Sequence, residues 1–412
     1  MNDDIKQFPK DYHKKRRSPN RMPLMALLSG LILIAILFSV IVIGNESGET
    51  VSSDGSVLSQ VETSPSDYSS PDDSSKEQND SLATSDIDSS INDESDESED
   101  VSLESSSEPS KEQSKDQSKE DDSFYYDESY VIPDESKGQD FENVYNFSLS
   151  AEYAIVYDLK SGEVLYAKNA SDRAYPASIT KLMTSIIALK YCDPSDVFTA
   201  GEELGFVAKG SSLAFIYKGH KLKLSMLIDA MMLPSGNDAA YVVAANVGRV
   251  IAGDKSLSAA ESVSVFVDEM NKEAKRLGCK GTHFANPDGF HDDRHFTTAY
   301  DLAIISEEAL TYEVINKSVK KEKVEAVYES GQMMTWINSN YLIRYHSLST
   351  EDRKKWYSEY ATGLKTGTTS QAGSCMVASA KKGDREIVAV LLKCKDGMGR
   401  YEDALKIINT IF

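Results

Sequence analysis

Cysteine is scarce, with 4 in 412 residues, at Cys192, Cys279, Cys375 and Cys394. No two have CxxC spacing, which excludes the zinc and redox sites built on that pair. Cys375 and Cys394 fall on neighbouring strands of one expected hairpin. Around a turn at 381–384 they occupy different rungs, so a bridge between them would be strained. All four read as small apolar packing residues. A basic surface is also lacking. The formal net charge is −22, and from residue 141 onward 32 basic residues nearly balance 34 acidic ones. Nothing there offers the phosphate-neutralising face that nucleic acid binding requires. No internal repeat is visible, which excludes solenoids and propellers. Long apolar runs are absent but for one, near the N-terminus.

That run, Leu24 to Ile43, is about 20 uncharged residues, enough at about 1.5 Å per residue to span a hydrocarbon core of about 30 Å. Lys14, Lys15, Arg16, Arg17 and Arg21 precede it. By the positive-inside bias, residues 1–21 form a cytoplasmic tail and 22–44 a single signal anchor. Everything after it is then extracytoplasmic, and the protein resides in the cell membrane. A cleaved signal peptide is the competing reading, but IVIGNESGET offers no A-x-A cleavage site. Residues 45–140 carry 29 acidic residues against 5 basic ones. The stretch 45–146 is rich in Ser, Asp and Glu, with too few aliphatic residues to offset chain entropy, so it reads as a disordered acidic linker. About 100 such residues span on the order of 55 Å, and like charges extend them further. The aromatic cluster Phe124, Tyr125, Tyr126 and Tyr130 is a candidate for docking on whatever follows.

Residues 147–412 read as one α+β domain. Tyr153 to Asp158 and Glu163 to Lys168 alternate around a Leu-Lys-Ser-Gly turn, the pattern of a hairpin. Ser178 to Tyr191 reads as a helix too apolar all round for the surface. Leu222 to Val247, with a gap, and Ala259 to Leu277 add helix. Ser374 to Ala380 and Glu386 to Lys393 form a second strand pair, and Asp403 to Phe412 a closing helix.

Three short constellations carry chemistry. In Tyr175-Pro-Ala-Ser-Ile-Thr-Lys181, Ser178 and Lys181 are three apart and share one helical face. A serine needs a base, and a neutral lysine one turn away serves if its pKa is depressed. Placed in a first turn, the serine's own N–H and the helix dipole face a developing oxyanion. Alone this pattern is weak, since SxxK recurs at Ser318…Lys321 and Ser379…Lys382. Ser235-Gly-Asn237 lies between two apolar helical runs, and by itself it is also ordinary turn chemistry. Lys365-Thr366-Gly367-Thr368 precedes the strand pair. Its glycine admits a substrate backbone to a strand edge, and its lysine and hydroxyls suit a carboxylate. In this order the three sets match the motifs of penicillin-binding proteins and class A β-lactamases.

Longer stretches extend the match: Asp158 to Tyr166, Tyr175 to Thr184, Leu233 to Ala240, Thr282 to Phe290, Thr298 to Leu302, Gly363 to Thr369 and Ala372 to Cys375. From about Phe147 to Phe412 the chain resembles the low-molecular-mass D-alanyl-D-alanine carboxypeptidases, a serine peptidase family of penicillin-binding proteins. That resemblance implies a β-lactamase/transpeptidase-like fold, an antiparallel sheet with a helical cluster, and no metal or cofactor. It implies a peptidoglycan stem peptide ending in D-Ala-D-Ala as substrate and β-lactams as covalent inhibitors. Ser178 would attack the penultimate D-alanine carbonyl with Lys181 as base, and Ser235 would relay a proton to the departing D-alanine. Asn237 would bind the substrate, Lys365 would keep Lys181 neutral, and Thr366 would hold the terminal carboxylate. The N–H groups of Ser178 and Thr368 would form the oxyanion hole. Many members carry a C-terminal β-rich domain and C-terminal anchor. The expectation here is an N-terminal anchor with an acidic tether, so reach and partners do not carry over with the chemistry.

Other readings use the same motifs. A class A β-lactamase would add a deacylating glutamate with an asparagine four residues on, and no convincing Glu-x-x-x-Asn stands between Asn237 and Lys365. A transpeptidase or endopeptidase would employ the same residues. A non-catalytic, wall-anchored antibiotic sensor would suit the tether, although about 21 cytoplasmic residues leave no room for a signalling domain. His291-Asp-Asp-Arg-His295 offers metal-ligand atoms but follows an Asn-Pro-Asp-Gly turn, so no helix places both histidines on one face.

Overall fold

The computed structural model describes residues 141–412, and the expected anchor at 22–44 and most of the linker lie outside the described residues. Among the described residues, no helix is long and apolar enough to cross a membrane. The described residues include 141–146, the end of the stretch expected to be linker. The Asn143 side chain exchanges hydrogen bonds with the Ala167 backbone, the Val144 and Tyr145 N–H groups donate to Leu165, and Phe141 stacks on Tyr300. Two aromatic anchors and an amide that completes an edge strand are what extend the fold there.

Five antiparallel strands form the central sheet: β1 (Tyr153–Asp158), β2 (Val164–Lys168), β7 (Ala361–Thr369), β8 (Gly373–Lys382) and β9 (Arg385–Cys394). Their order is β2-β1-β9-β8-β7. Alternating side chains make two cores. Ile155, Tyr157, Val377, Val388 and Val390 face one way, towards the helices. Ala154, Val156, Met376, Ala378 and Leu391 face the other, towards the closing helix. The helical side comprises α1 (Lys181–Tyr191), α2 (Leu224–Met232), α3 (Asn237–Ala252), α4 (Ala259–Leu277), α5 (Ala299–Thr311) and α6 (Glu313–Ser318). α1 is its centre, buried at every position from Lys181 to Ala188, as its uniformly apolar sequence requires. On the opposite face α8 (Gly399–Ile411) packs Tyr401, Ala404, Ile407 and Ile408 against the sheet beside Trp356 of α7 (Thr350–Trp356). The small sheets β3 (Val197–Thr199) with β4 (Lys221–Lys223), and β5 (Lys323–Val327) with β6 (Met333–Ile337), lie outside this stack.

Two local expectations are corrected. Lys365 to Thr368 do not precede the strands; they sit within β7, an edge strand of the sheet, whose central residues are buried. The final hairpin turns in two residues, because Lys382 and Arg385 still pair and leave only Gly383 and Asp384 in the loop. The four cysteines are free, and Ser374 rather than Cys375 stands opposite Cys394.

Candidate active site

The chain reaches the candidate nucleophile through Tyr175-Pro176 and a left-handed residue, Ala177, at φ +48°. Ala177 to Thr180 form a 3₁₀ turn that runs directly into α1 at Lys181. Side chains three apart eclipse one another in such a turn, so Ser178 and Lys181 lie one above the other. Lys181 Nζ and Ser178 Oγ are hydrogen-bonded at 3.0 Å, the amine donating when the lysine is charged and accepting from the hydroxyl when it is neutral. Two glycines make room for this corner. A Cβ on Gly289 would stand 1.9 Å from the Ala177 carbonyl oxygen, and one on Gly367 would stand 3.0 Å from the Ser178 nitrogen.

Lys181 is fully buried and has two further partners, Asn237 Oδ1 at 2.8 Å and the Asp288 carbonyl at 2.6 Å. Burial pushes its pKa from 10.5 down to about 8, against the opposing pull of the Asp288 and Asp238 carboxylates. Desolvation is the largest cause of the Lys181 shift, and the two buried lysines also disfavour each other's charge. Lys365 is itself pushed well below the usual lysine range by burial, then by the charges of Lys181 and Arg400. Asn237 begins α3, and its Nδ2 donates to Ser211 Oγ at 2.9 Å. Beside it the buried Asp238 carboxylate accepts from the N–H groups of Ala214 and Ile216, pinning the loop that carries Ser211. The β5–β6 hairpin braces that loop from behind, with the Trp336 indole and the Tyr328 hydroxyl both donating to the Ala214 carbonyl.

Lys365 Nζ donates to Ser235 Oγ at 2.9 Å and to the Thr366 carbonyl at 2.9 Å. Ser235, at φ +64°, is a second left-handed non-glycine residue in the site. Such strain persists where the surroundings hold it and gathers at functional sites. Thr366 is buried, with its hydroxyl 2.6 Å from Ser339 Oγ, and Tyr401 donates to the Ser339 carbonyl. Two residues along the same strand face, Thr368 accepts from Arg400 Nη1 at 3.0 Å. The same guanidinium nitrogen reaches the Gly367 carbonyl, whereas its buried Nε has no partner. A cleft of about 360 Å³ opens over these groups, lined by Ser178, Ser211, Asn237, Phe290, His291 and Thr368 among others.

The structure therefore brings together Ser178, Lys181, Ser235, Asn237, Lys365 and Thr368, with the Thr366 hydroxyl bonded to Ser339 beside them. The other SxxK pairs resolve differently. Ser318 and Lys321 both bind the buried Asp229 carboxylate rather than each other. Ser379 lies in β8, bonded to Thr362, while the exposed Lys382 donates to the Phe412 carbonyl and lies over the Tyr360 ring. His295 is buried and His291 lines the cleft wall; among the described residues, no three metal-binding side chains converge. Ser211, Arg400 and Asp288 were not singled out from sequence. Asp288 stands in the Asn-Pro-Asp-Gly turn, Ser211 in a loop and Arg400 at a helix start, and only tertiary packing places each at the site.

Residues 140–396 match the profile of the D-alanyl-D-alanine carboxypeptidase family. The chain is 31% identical over 280 residues to the D-alanyl-D-alanine carboxypeptidase DacF of Bacillus subtilis, covering 66% of this chain and 65% of that one. It is 33% identical over 272 residues to DacA of Escherichia coli K12, covering 63% and 60%. It thus spans just under two thirds of the length of these curated relatives. The crystal structure of the Streptomyces K15 DD-transpeptidase superposes with a TM-score of 0.57 at 28% identity, covering 64% of this chain and 98% of that one. Penicillin-binding protein D2 of Listeria monocytogenes, in its ampicillin-bound form, shares the fold with a TM-score of 0.51 at 24% identity, covering 64% and 98%. Family profile, fold and motif order agree, and the chain belongs to the D-alanyl-D-alanine carboxypeptidase family.

Proposed function

We propose that the protein is a serine-type carboxypeptidase that removes the terminal D-alanine from peptidoglycan stem pentapeptides through an acyl-enzyme on Ser178. One observation carries this reading: the three partners of Lys181. Asn237 Oδ1 and the Asp288 carbonyl can only accept, so the two hydrogens of a neutral Lys181 go to them. Its lone pair is left for the Ser178 hydroxyl, the arrangement a general base needs.

Lys181 takes the Ser178 proton as Oγ attacks the penultimate carbonyl, and the oxyanion meets the N–H groups of Ser178 and Thr368. Ser235, hydrogen-bonded to Lys365, passes a proton to the departing D-alanine nitrogen as the C–N bond breaks, and the proton taken up by Lys181 replaces it, so that Lys181 is neutral again. Arg400 and the hydroxyls of Thr366 and Thr368 provide charge and donors for the terminal carboxylate, and Asn237 with Ser211 orients the peptide. Water then attacks the ester, giving up its proton to the same basic groups, and Ser178 is released. A β-lactam presents a strained amide to the same serine, so it acylates Ser178 in place of the peptide.

The resemblance to a solved DD-transpeptidase favours a second reading, in which an amine rather than water accepts the acyl group. Both readings are tested by incubating the full chain with a pentapeptide ending in D-Ala-D-Ala, with and without glycine as acceptor amine. Release of one D-alanine, abolished in Ser178→Ala, supports the hydrolase; a glycine-capped product supports transfer; internal cleavage or silence removes both. We place the protein in the cell membrane, with residues 22–44 as anchor and the catalytic domain outside. Protease treatment of intact cells that spares the domain would refute that placement.

A further inference from the structure

The corner that presents Ser178 depends on the Ala177 carbonyl being held in a conformation that alanine rarely adopts. Thr180 Oγ1 donates to that carbonyl at 2.8 Å, so the threonine must accept at its remaining contact, His295 Nε2 at 2.7 Å. The other face of the imidazole fixes the tautomer. The Ala285 N–H donates to His295 Nδ1 at 3.1 Å, which leaves the proton of a neutral ring on Nε2, pointing at Thr180. Thus a single directed chain, from the Ala285 N–H through His295 and Thr180, ends on the Ala177 carbonyl.

The chain segment carrying His295 is tied to the same corner. Thr297 and Ala174 exchange both backbone hydrogen bonds at 2.8 Å just before the chain turns into Ala177. Gly289 packs against Ala177 and Thr180, since a Cβ there would stand 1.9 Å from the Ala177 carbonyl oxygen and 2.8 Å from Thr180 Oγ1. His295 is 2% exposed and Thr180 1% exposed, so water does not substitute for either partner. Burial, then the neighbouring His283, pushes the imidazole pKa down to about 3, so the ring stays neutral across the working range of a cell envelope.

We infer that His295 is a positioning residue for the nucleophile: acting through Thr180, it locks the strained Ala177–Ser178 corner so that Ser178 Oγ stays aligned with Lys181. This rests on the reading of Ser178 as the nucleophile. His295 touches no reacting atom, and its effect belongs to the acylation rate rather than to peptide affinity.

The test uses the full chain and a chromogenic penicillin. The acylation rate is expressed per serine that finally becomes labelled, so misfolded molecules drop out, and thermal midpoints are recorded alongside. His295→Ala and Thr180→Val should each slow acylation about 10- to 100-fold, as expected for a small misplacement of a reacting group. The double variant should be no slower than either single one, because both break one chain. His295→Gln should return to within about threefold of wild type, since its amide can both accept from Ala285 and donate to Thr180. Wild-type rates per labelled serine in Thr180→Val or His295→Ala, even with a lowered midpoint, would overturn the inference by reducing His295 to a packing residue. A glutamine variant as slow as the alanine one would overturn it too. Should His295→Ala fail to fold, Thr180→Val and His295→Gln decide alone. A wild-type chain that is never labelled would sink the proposed function itself, an outcome distinct from labelled wild type with unaffected variants.

Discussion

Replacing Lys181 by methionine keeps roughly the same length and volume in α1 but removes the buried amine, and its consequence for stability depends on pH. The lysine has a pKa near 8 when folded, against 10.5 in its ordinary state. Below pH 8 both the folded and unfolded chains carry the charge, and burial penalises the folded one. A gap of about 2.5 units at about 1.4 kcal/mol each sets that penalty at about 3.4 kcal/mol. As pH rises through 8, the folded chain sheds its proton before the unfolded chain does, and the penalty fades, with about 0.8 kcal/mol left at pH 10. The methionine variant has no such proton to lose. It does leave Asn237 Oδ1 and the Asp288 carbonyl without their donor, a cost that is constant with pH. The wild type should therefore gain about 2.5 kcal/mol on the variant between pH 7 and pH 10, whichever of the two is more stable at pH 7. Denaturant unfolding followed through the fluorescence of Trp336 and Trp356 at both pH values measures it, and titrating groups that do not interact with Lys181 cancel in the difference. A difference that stays flat with pH, or one that moves towards the variant, would refute the account of Lys181 as a buried lysine of lowered pKa.

Further outcomes follow from the same geometry. Because only neutral Lys181 accepts the Ser178 proton, the acylation rate constant should climb about tenfold per pH unit up to an inflection near 8, and a profile level between pH 6 and 8 would contradict that role. Arg400→Met removes the guanidinium bonded to Thr368 and Gly367. It should lower kcat/KM about 10- to 100-fold for a peptide with a free terminal carboxylate while sparing its C-terminal amide; equal losses for both would argue against carboxylate recognition. Asp403→Ala strips a buried carboxylate that accepts from the Ser150 N–H, the Ser150 hydroxyl and the Ala151 N–H. It should cost about 3 kcal/mol of stability by denaturant titration, and a loss under 1 kcal/mol would mean the N-terminal segment is held by packing instead.

Much of the site was legible because its chemistry is local. Ser178 and Lys181 are three apart, a spacing that any helical or 3₁₀ turn stacks on one face. The first hairpin and α4 were legible because period-two and period-3.6 patterns are strong there, the latter with a Ser258–Glu261 capping box. What stayed hidden was set by tertiary contact. Lys365 to Thr368 carry too many polar side chains to read as strand, yet they are strand because β8 supplies the hydrogen bonds and the site buries Lys365 and Thr366. The β5–β6 hairpin has only five residues per strand and one well-buried side chain on each, Ala326 and Trp336, so its alternation is faint. Arg400, Ser211 and Asp288 reach the cleft across about 35, 33 and 110 residues of chain from Lys365, Ser178 and Ser178, distances no local pattern spans. The main cause of the lowered Lys181 pKa was hidden for the same reason. Charge proximity can be guessed from motifs, whereas complete burial of Lys181 is a property of the packed α1.

The central claim is that Ser178, activated by Lys181, is acylated by D-alanyl-D-alanine peptides and by the β-lactams that resemble them. Mass spectrometry of the full chain after exposure to a penicillin tests it most directly, with peptide mapping of the adduct and parallel samples of Ser178→Ala and Lys181→Met. A long-lived penicilloyl group on the peptide containing Ser178, absent from both variants, is the expected result. Rapid turnover of the penicillin without a lasting adduct would move the protein to the β-lactamases, and an adduct on another residue, or none at all, would contradict the account.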